Sequence, residues 1–255
     1  MGTRILILVL FVLSVLTSSA LTYLLINKTG GGSGSTGNLN EAVQNFIEKN
    51  PEVIIQGLRK AQAARAEQEA QDSEKMATTL RPQLEKNPTD PQAGNKTGDV
   101  VMVVFHDHNC GYCRKSIPDI EKVLTEDKDL KLVVKDLPIL GPLSVEKAKA
   151  SIAVAKIAPE KWYDYYEAIG HSNTQTVEQV IELVHEKLGI EPTLLRSEME
   201  SRETANKISE NHALAEQLGV SGTPVFIING KVIRGAAGYD AFKAAIAEAR
   251  AENKN

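Results

Sequence analysis

The sequence of 255 residues contains only two cysteines, and they lie three positions apart at Cys110 and Cys113. Two cysteines cannot form a disulfide framework, and a bridge between them closes too small a loop to restrain the unfolded chain much. A structural staple is therefore the weakest explanation of this Cys-Gly-Tyr-Cys motif. Two explanations remain, a redox-active pair and half of a metal site.

The sequence also lacks an excess of basic residues, with 29 lysine and arginine residues against 33 aspartate and glutamate residues. The formal net charge is −4, and the chain has no large run of lysine and arginine. A protein that binds nucleic acid usually presents clustered basic residues to the phosphates. The composition therefore argues against a nucleic-acid partner.

Charged residues are absent from residues 5–26, which form one continuous apolar run. Such a run is long enough to cross a bilayer as a helix. The small residues Ser18, Ser19 and Ala20 also fit a cleavable signal peptide, but the apolar run continues to Ile26, which favours an uncleaved anchor. Both interpretations predict a location in the cell envelope, in the periplasm, where disulfides form and persist.

The N-terminal third is poor in strand-forming patterns. Residues 27–38 are rich in glycine and serine and predict a flexible linker. Residues 39–80 predict two helices, of which only the first part carries an apolar face, and residues 81–96 predict a connector with turn residues. We expect an oligomerisation stalk, with packing on the following domain as the alternative. The apolar face consists of Leu39, Val43, Phe46, Val53, Ile54 and Leu58.

Residues 97–255 predict one α/β domain. Its first apolar segment shows no alternation of polar and apolar residues, which is typical of a central strand buried on both faces. Asn229-Gly230 predicts a tight hairpin turn. The expected order is a strand at 100–105, a helix that begins at the cysteine motif, a strand at 130–134, helices over about 144–219, a hairpin that begins at 224, and a terminal helix.

A strand that leads into a helix with two cysteines in its first turn is typical of thioredoxin-like proteins. Cys110 would take the N-cap position, where the free N–H groups of Tyr112 and Cys113 and the helix dipole favour its thiolate. Such positions lower a cysteine pKa from ~8.5 into the range of about 3.5–7.5. We expect Cys110 to be the nucleophile and the less exposed Cys113 to resolve the mixed disulfide.

Thr223-Pro224 lies at the start of a later strand, which borders the cysteine helix in a thioredoxin fold. We expect a cis peptide bond here, although most X–Pro bonds are trans. The exposed backbone of Thr223 could then pair with an extended substrate segment.

The segments "VVFHDHNCGYC", "LPILGPLS" and "GVSGTPVFIING" resemble the DsbA family of thiol–disulfide oxidoreductases from Thr97 to the C-terminus. The motif and its Thr-Pro pair resemble the isomerase-like branch, and "NPEVIIQGL" resembles oligomeric members related to ScsC. The resemblance implies a thioredoxin fold with an inserted helical domain. It also implies catalytic roles for Cys110 and Cys113, supported by Gly111, Tyr112, Thr223 and Pro224. Family members often have an acid where this chain has Val104, which leaves the proton path to Cys113 in doubt.

A metal site built from His106, His108, Cys110 and Cys113 is the weaker alternative, because the helix start separates Cys113 from the histidines and the chain has no second Cys-X-X-Cys motif. We therefore predict no metal and no cofactor. His108, two residues before Cys110, is expected to tune the thiolate electrostatically when it is charged.

The predicted function is thiol–disulfide exchange on proteins of the cell envelope. The stalk favours a disulfide isomerase or reductase, and a monomeric dithiol oxidase is the alternative. A chaperone or metal-binding protein on a thioredoxin scaffold is the alternative of another class. Expected partners are cysteine-containing clients, a membrane redox partner, and further copies of the chain bound through residues 39–58.

Overall fold

The computed structural model describes residues 35–253. These residues divide between Ala64 and Arg65 into two compact units. The predicted membrane anchor or signal peptide at 5–26 lies outside the described residues. Within 35–253 the structure contains no helix that is both long enough and apolar enough to cross a membrane.

The first unit is helical, as predicted. Helix α1 spans Ser35–Lys49 and so begins within the segment 27–38 that we predicted to be a linker. Helix α2 spans Pro51–Thr79, and its residues up to Ala64 belong to this unit. Asn50 separates the helices and donates its side-chain N–H to the Phe46 carbonyl at 2.8 Å. Large apolar side chains are exposed along this unit, namely Leu39, Val43, Phe46, Ile47, Val53, Ile54, Ile55 and Leu58.

The second unit includes the end of α2, so the predicted stalk at 39–80 is too long. Ser73, Ala77 and Leu80 are buried, and the Ser73 hydroxyl donates to the Leu218 carbonyl at 2.7 Å. The short helix α3, Arg81–Glu85, follows at once and buries Leu84. Small and apolar residues three to four positions apart give this part of the chain one buried face.

The predicted connector 81–96 is also part of this fold. Strand β1, Gln92–Gly94, pairs antiparallel with β3, Leu130–Asp136. Gly94 has φ +72°, and a Cβ atom there would lie 2.5 Å from the Leu130 carbonyl oxygen. The domain therefore begins before Thr97, and glycine is required where the chain passes close to the edge of the sheet.

The sheet has five strands in the order β1-β3-β2-β4-β5. The central strand β2, Val100–His106, runs parallel to β3 and antiparallel to β4, Val225–Ile228. The hairpin partner β5 spans Lys231–Arg234. Asn229 and Gly230 form its two-residue turn with φ values of 51° and 88°, so the predicted hairpin is confirmed.

The helices follow the predicted order. Helix α4 spans Gly111–Glu126 and begins at the cysteine motif. The predicted helical block at 144–219 begins two residues early, because Pro142 suits the first position of a helix. It contains α5 Pro142–Ile157, a 3₁₀ turn Pro159–Lys161, α6 Trp162–His171, α7 Val177–Leu188, α8 Pro192–Met199 and α9 Arg202–Gln217. Helix α10, Tyr239–Glu252, ends the described chain.

Each face of the sheet supports a hydrophobic cluster. On one face, Met102 and Val104 of β2 belong to a cluster with residues of α4, α10 and the helical block. On the other face, Val103 and Phe105 belong to a cluster with Ala77, Leu84 and residues near the end of α9. Burial on both faces explains why β2 shows no alternation in sequence.

A buried charge cluster fastens the segment before β1 to the sheet. Lys135 of β3 is wholly buried and binds the Asp90 carboxylate and the Gln83 carbonyl. Lys207 of α9 lies 3.3 Å from the other Asp90 oxygen. Burial lowers the pKa of Lys135, and Asp90 opposes that shift. Asp90 therefore compensates the charges of two lysines that water reaches poorly.

Replacing Asp90 should destabilise the fold strongly. Asp90→Ala leaves Lys135 buried without a counter-charge, and loss of one partner of a buried pair costs about 3–5 kcal/mol. The free energy of unfolding in urea measures this effect. Asp129→Ala, at an exposed aspartate, should change the free energy by less than about 0.5 kcal/mol. Equal stability of the two variants would contradict this role of Asp90.

Candidate active site

The turn between β2 and α4 is held by Asp107, which is buried. One carboxylate oxygen accepts the backbone N–H of Asn109 at 2.8 Å. The other accepts the N–H groups of Ile139 at 2.8 Å and Leu140 at 3.0 Å. Asp107 therefore joins the cysteine turn to the loop after β3. Sequence reasoning did not single it out, although aspartate before a helix start is a common turn residue.

Cys110 takes the N-cap position of α4, as predicted, and its backbone N–H donates to the Asp107 carbonyl at 2.9 Å. The Cys110 sulfur lies 3.3 Å from the Thr223 carbonyl oxygen and donates to it when it is protonated. A hydrogen bond from the Cys113 thiol is the main cause that lowers the pKa of Cys110 to about 5. Burial opposes this shift, whereas the Thr223 side chain and the backbone N–H groups of Cys113 and Tyr112 reinforce it. Cys110 is therefore a thiolate at neutral pH.

Cys113 has the opposite environment. It is fully buried, whereas Cys110 keeps 7% of its surface exposed. Burial raises the pKa of the Cys113 thiol well above its usual value, and the hydrogen bond to Cys110 raises it further. Interaction with the Asp107 backbone opposes the shift only in part. The two sulfurs therefore differ in charge, which is the asymmetry that the sequence predicted.

The Thr223–Pro224 peptide bond is cis, as expected. Val225 follows it as the first residue of β4 and lies opposite Phe105 of β2. This pairing brings the Thr223 carbonyl to the Cys110 thiol across 113 positions of sequence. The structure thus joins the predicted cysteine and Thr-Pro segments in one site.

Gly111 and Tyr112 form the exposed part of the motif. Tyr112 is 67% exposed, and a Cβ atom at Gly111 would meet nothing within 4 Å. The surface beside Cys110 is therefore open enough for another protein chain to approach.

His108 is buried, and its Nε2 atom lies 2.8 Å from an Asp136 oxygen at the end of β3. Sequence reasoning did not find Asp136, because its partner lies 28 positions away and only strand pairing brings the two together. The expected electrostatic effect of His108 on Cys110 stays a prediction.

His106 is also buried, and its Nδ1 atom lies 3.2 Å from the Tyr166 hydroxyl oxygen. Between residues 35 and 253, no group of three or more His, Cys, Asp or Glu side chains is arranged to hold a metal ion. Each histidine makes one side-chain contact within hydrogen-bond distance, His106 with Tyr166 and His108 with Asp136.

The arrangement of the cysteines suits thiol–disulfide exchange. A partly accessible thiolate at Cys110 can attack a disulfide sulfur, and it is also a good leaving group. The adjacent buried thiol of Cys113 can then form the internal disulfide. No other described group is needed to bring the two sulfurs together, because they already share a hydrogen bond.

Comparison with known proteins agrees with this geometry. A family model described as Thioredoxin matches residues 86–248. Disulfide bond formation protein D of Bacillus subtilis is 25% identical over 166 residues, which cover 61% of this chain and 75% of that protein.

Two solved structures are also similar. A thioredoxin-like oxidoreductase from Silicibacter pomeroyi has a TM-score of 0.63 and 30% identity, with 67% of this chain and 97% of that chain covered. BcfH of Salmonella enterica Typhimurium has a TM-score of 0.72 and covers 91% of this chain and 99% of its own. Its identity of 21% supports likeness of fold alone.

The asymmetry of the cysteines predicts how alkylation depends on pH. In the reduced protein the iodoacetamide reaction of Cys110 should increase as pH rises through about 5 and level off near neutral pH. Cys113 should remain unmodified, because burial keeps it a thiol. Peptide mass spectrometry after timed labelling measures both sites. A midpoint near 8.5, the usual cysteine value, or equal labelling of Cys113 would contradict this assignment.

Proposed function

Because the chain belongs to the thioredoxin family and is a thiol–disulfide oxidoreductase of the DsbA type, we propose that Cys110 and Cys113 exchange disulfides with cysteine-containing proteins of the cell envelope. The observation that carries this proposal is the contrast between the two sulfurs. Cys110 has a pKa of about 5 and lies beside Thr223, whereas Cys113 is a fully buried thiol.

In the reductive direction the Cys110 thiolate attacks a client disulfide. One client sulfur leaves with the electron pair of the broken S–S bond, and Cys110 and the other client sulfur form a mixed disulfide. Cys113 then loses its proton and attacks Cys110. The client leaves as a second thiolate, so the client gains two electrons and the protein keeps the Cys110–Cys113 disulfide. Oxidation of a client follows the same steps in reverse.

The client is expected to bind beside Thr223. Its backbone already accepts the Cys110 thiol, and the neighbouring Tyr112 is largely exposed. A client segment in extended conformation would place its own sulfur near Cys110 while its backbone pairs with the Thr223 loop. Backbone pairing does not depend on client side chains, which fits an enzyme that acts on many proteins.

The exposed apolar residues of the first unit support assembly of several copies. Leu39, Phe46 and Ile54 are each more than half exposed, and large exposed apolar surfaces usually mark sites of association. Several linked active sites would hold one client at high effective concentration. Because isomerisation needs repeated attack and release, this favours an isomerase or reductase over a monomeric oxidase.

The apolar segment 5–26 and the chemistry of the cysteines support a location in the cell envelope. Disulfides persist in extracytoplasmic compartments and are rare in the cytoplasm. A membrane redox partner would then restore the oxidation state of Cys110 and Cys113 after each cycle.

A trapping experiment tests the central proposal. Cys113→Ser in the full chain should accumulate disulfide-linked complexes with client proteins, because nothing displaces the client from Cys110. Cys110→Ser should form none, because a buried thiol remains. Non-reducing gels of cells that express each variant measure the complexes. Trapping by Cys110→Ser, or by neither variant, would refute the assignment.

A second experiment tests assembly and isomerisation together. Phe46→Glu/Ile54→Glu should convert an oligomer into a monomer, reduce the refolding of scrambled ribonuclease several-fold, and leave oxidation of a dithiol peptide unchanged. Light scattering and the two assays measure these effects. The charge-matched control is Gln56→Glu/Gln62→Glu, at exposed polar positions of α2. If the unaltered chain is monomeric, or isomerisation persists in the Phe46/Ile54 variant, the oxidase alternative is favoured.

A further inference from the structure

An apolar groove of about 420 Å³ lies between the loop after β3 and the C-terminal end of α9, and we call it the α9 groove. The buried side chains of Leu137, Ala215 and Val220 form its floor and belong to the hydrophobic cluster on that face of the sheet. Ile139, which is 41% exposed, and the exposed Ser221 lie at its edges. The groove therefore offers apolar surface that the fold leaves accessible.

The loop after β3 ties one edge of the groove to the cysteine turn. Ile139 donates its backbone N–H to the Asp107 carboxylate at 2.8 Å, and the Asp107 carbonyl accepts the N–H of Cys110 at 2.9 Å. Leu137 donates its N–H to the carbonyl of His106, the last residue of β2, at 2.7 Å. This edge is therefore held by the same turn that holds the nucleophile.

The Thr223 loop ties the other edge to the cysteine sulfur. The Thr223 carbonyl oxygen lies 3.3 Å from the Cys110 sulfur, and Ser221 comes two positions earlier in the chain. Successive Cα atoms are about 3.8 Å apart, so the Cα atoms of Ser221 and Thr223 are separated by less than about 8 Å. An extended segment of four residues spans about 13 Å. A client residue about two to four positions from the client cysteine can therefore reach the groove.

The mixed disulfide decides which molecule occupies the groove. Once Cys110 has attacked, one client sulfur is bonded to it, and the client residues on both sides must lie against the neighbouring surface. This covalent link gives them a high effective concentration at the groove. Another protein, including a second copy of this chain, would have to compete with the linked segment and lose its own translational and rotational freedom. The occupant that the site favours is therefore the client.

The lining determines which client residue fits. An apolar side chain on the floor releases water from Leu137, Ala215 and Val220, which is favourable. His212 and Glu216, one turn apart on α9, give the groove a polar edge where the client backbone can remain hydrated. The Glu216 carboxylate also disfavours an acidic client residue, because like charges repel. The groove suits one large aliphatic or aromatic side chain.

We propose that the α9 groove binds a large apolar client side chain that lies about two to four positions from the client cysteine, and thereby selects disulfides of incompletely folded proteins. The inference rests on the proposed function, which places the client on Cys110. Folded proteins bury most of their large apolar side chains, whereas incompletely folded proteins expose them. Pairing with the Thr223 loop accepts any client backbone, and the groove adds a preference for clients whose disulfides are still to be exchanged.

Mixed disulfides between a peptide and 5-thio-2-nitrobenzoate test the groove. The Cys110 thiolate attacks the peptide sulfur, and the electron pair of the broken S–S bond leaves with the coloured 5-thio-2-nitrobenzoate, the more acidic thiol. Stopped-flow absorbance on the reduced full chain gives the second-order rate constant. One peptide carries leucine three positions before and three positions after its cysteine, so the result does not depend on chain direction. The matched peptide carries serine at both positions.

The unaltered protein should react about 10-fold faster with the leucine peptide, as expected for partial burial of one leucine side chain. Ile139→Ser removes an apolar edge but keeps the backbone N–H that binds Asp107, and it should reduce the ratio of the two rate constants below about 3-fold. Because the ratio is measured, a general effect on Cys110 cancels. Leu194→Ser, at a 51% exposed leucine of α8 that does not line the groove, is the matched control and should keep the full ratio.

Equal rate constants for the two peptides in the unaltered protein would overturn the proposal. A full ratio in Ile139→Ser would overturn it as well, since leucine would then bind elsewhere. A ratio that falls as the protein concentration rises would overturn it in favour of a second copy in the groove. Failure of both peptides to release the coloured thiolate would instead contradict the proposed function, so the two failures are distinguishable.

Discussion

The site depends on one constraint, that Cys110 lies at the N-terminus of a helix that begins directly after a strand buried on both faces. The strand fixes where the helix starts. The first turn of the helix then supplies the Cys113 thiol, which favours the Cys110 thiolate most, and the N–H groups that reinforce this effect. One turn later the same helix carries Cys113 into the interior, where burial keeps it a thiol. A single strand–helix junction therefore sets the charge of both sulfurs.

The elements around this junction keep it in place and limit access to it. Asp107 accepts one backbone N–H of the cysteine turn and two of the loop after β3, and the Thr223 carbonyl lies beside Cys110 just before β4. These contacts come from three separate regions of the chain. Their combined effect is a site that exposes one reactive sulfur and hides the other, as sequential attack and resolution require.

Burial of polar groups recurs on both faces of the sheet, with different consequences. On one face Asp90 compensates Lys135 and Lys207, and the cluster anchors the chain that leads into β1. Near the cysteines the buried side chains of His106 and His108 are only partly paired, because one ring nitrogen of each has no partner among the described residues. The charges of the first group compensate each other, whereas the second group keeps buried polar atoms without a partner in the described residues.

The sequence alone determined the central strand, the cysteine helix, the hairpin at Asn229-Gly230 and the nearness of the Thr-Pro segment, because each rests on local patterns or on a motif. It did not determine where the helical stalk ends or that the connector adds a strand. Ala77 and Gln92 become part of the fold only through residues far away in sequence. The partners of His108 and His106 were likewise out of reach, since Asp136 and Tyr166 lie 28 and 60 positions away. Local patterns record which residues a short segment must bury, whereas strand pairing and helix packing decide which distant side chains meet.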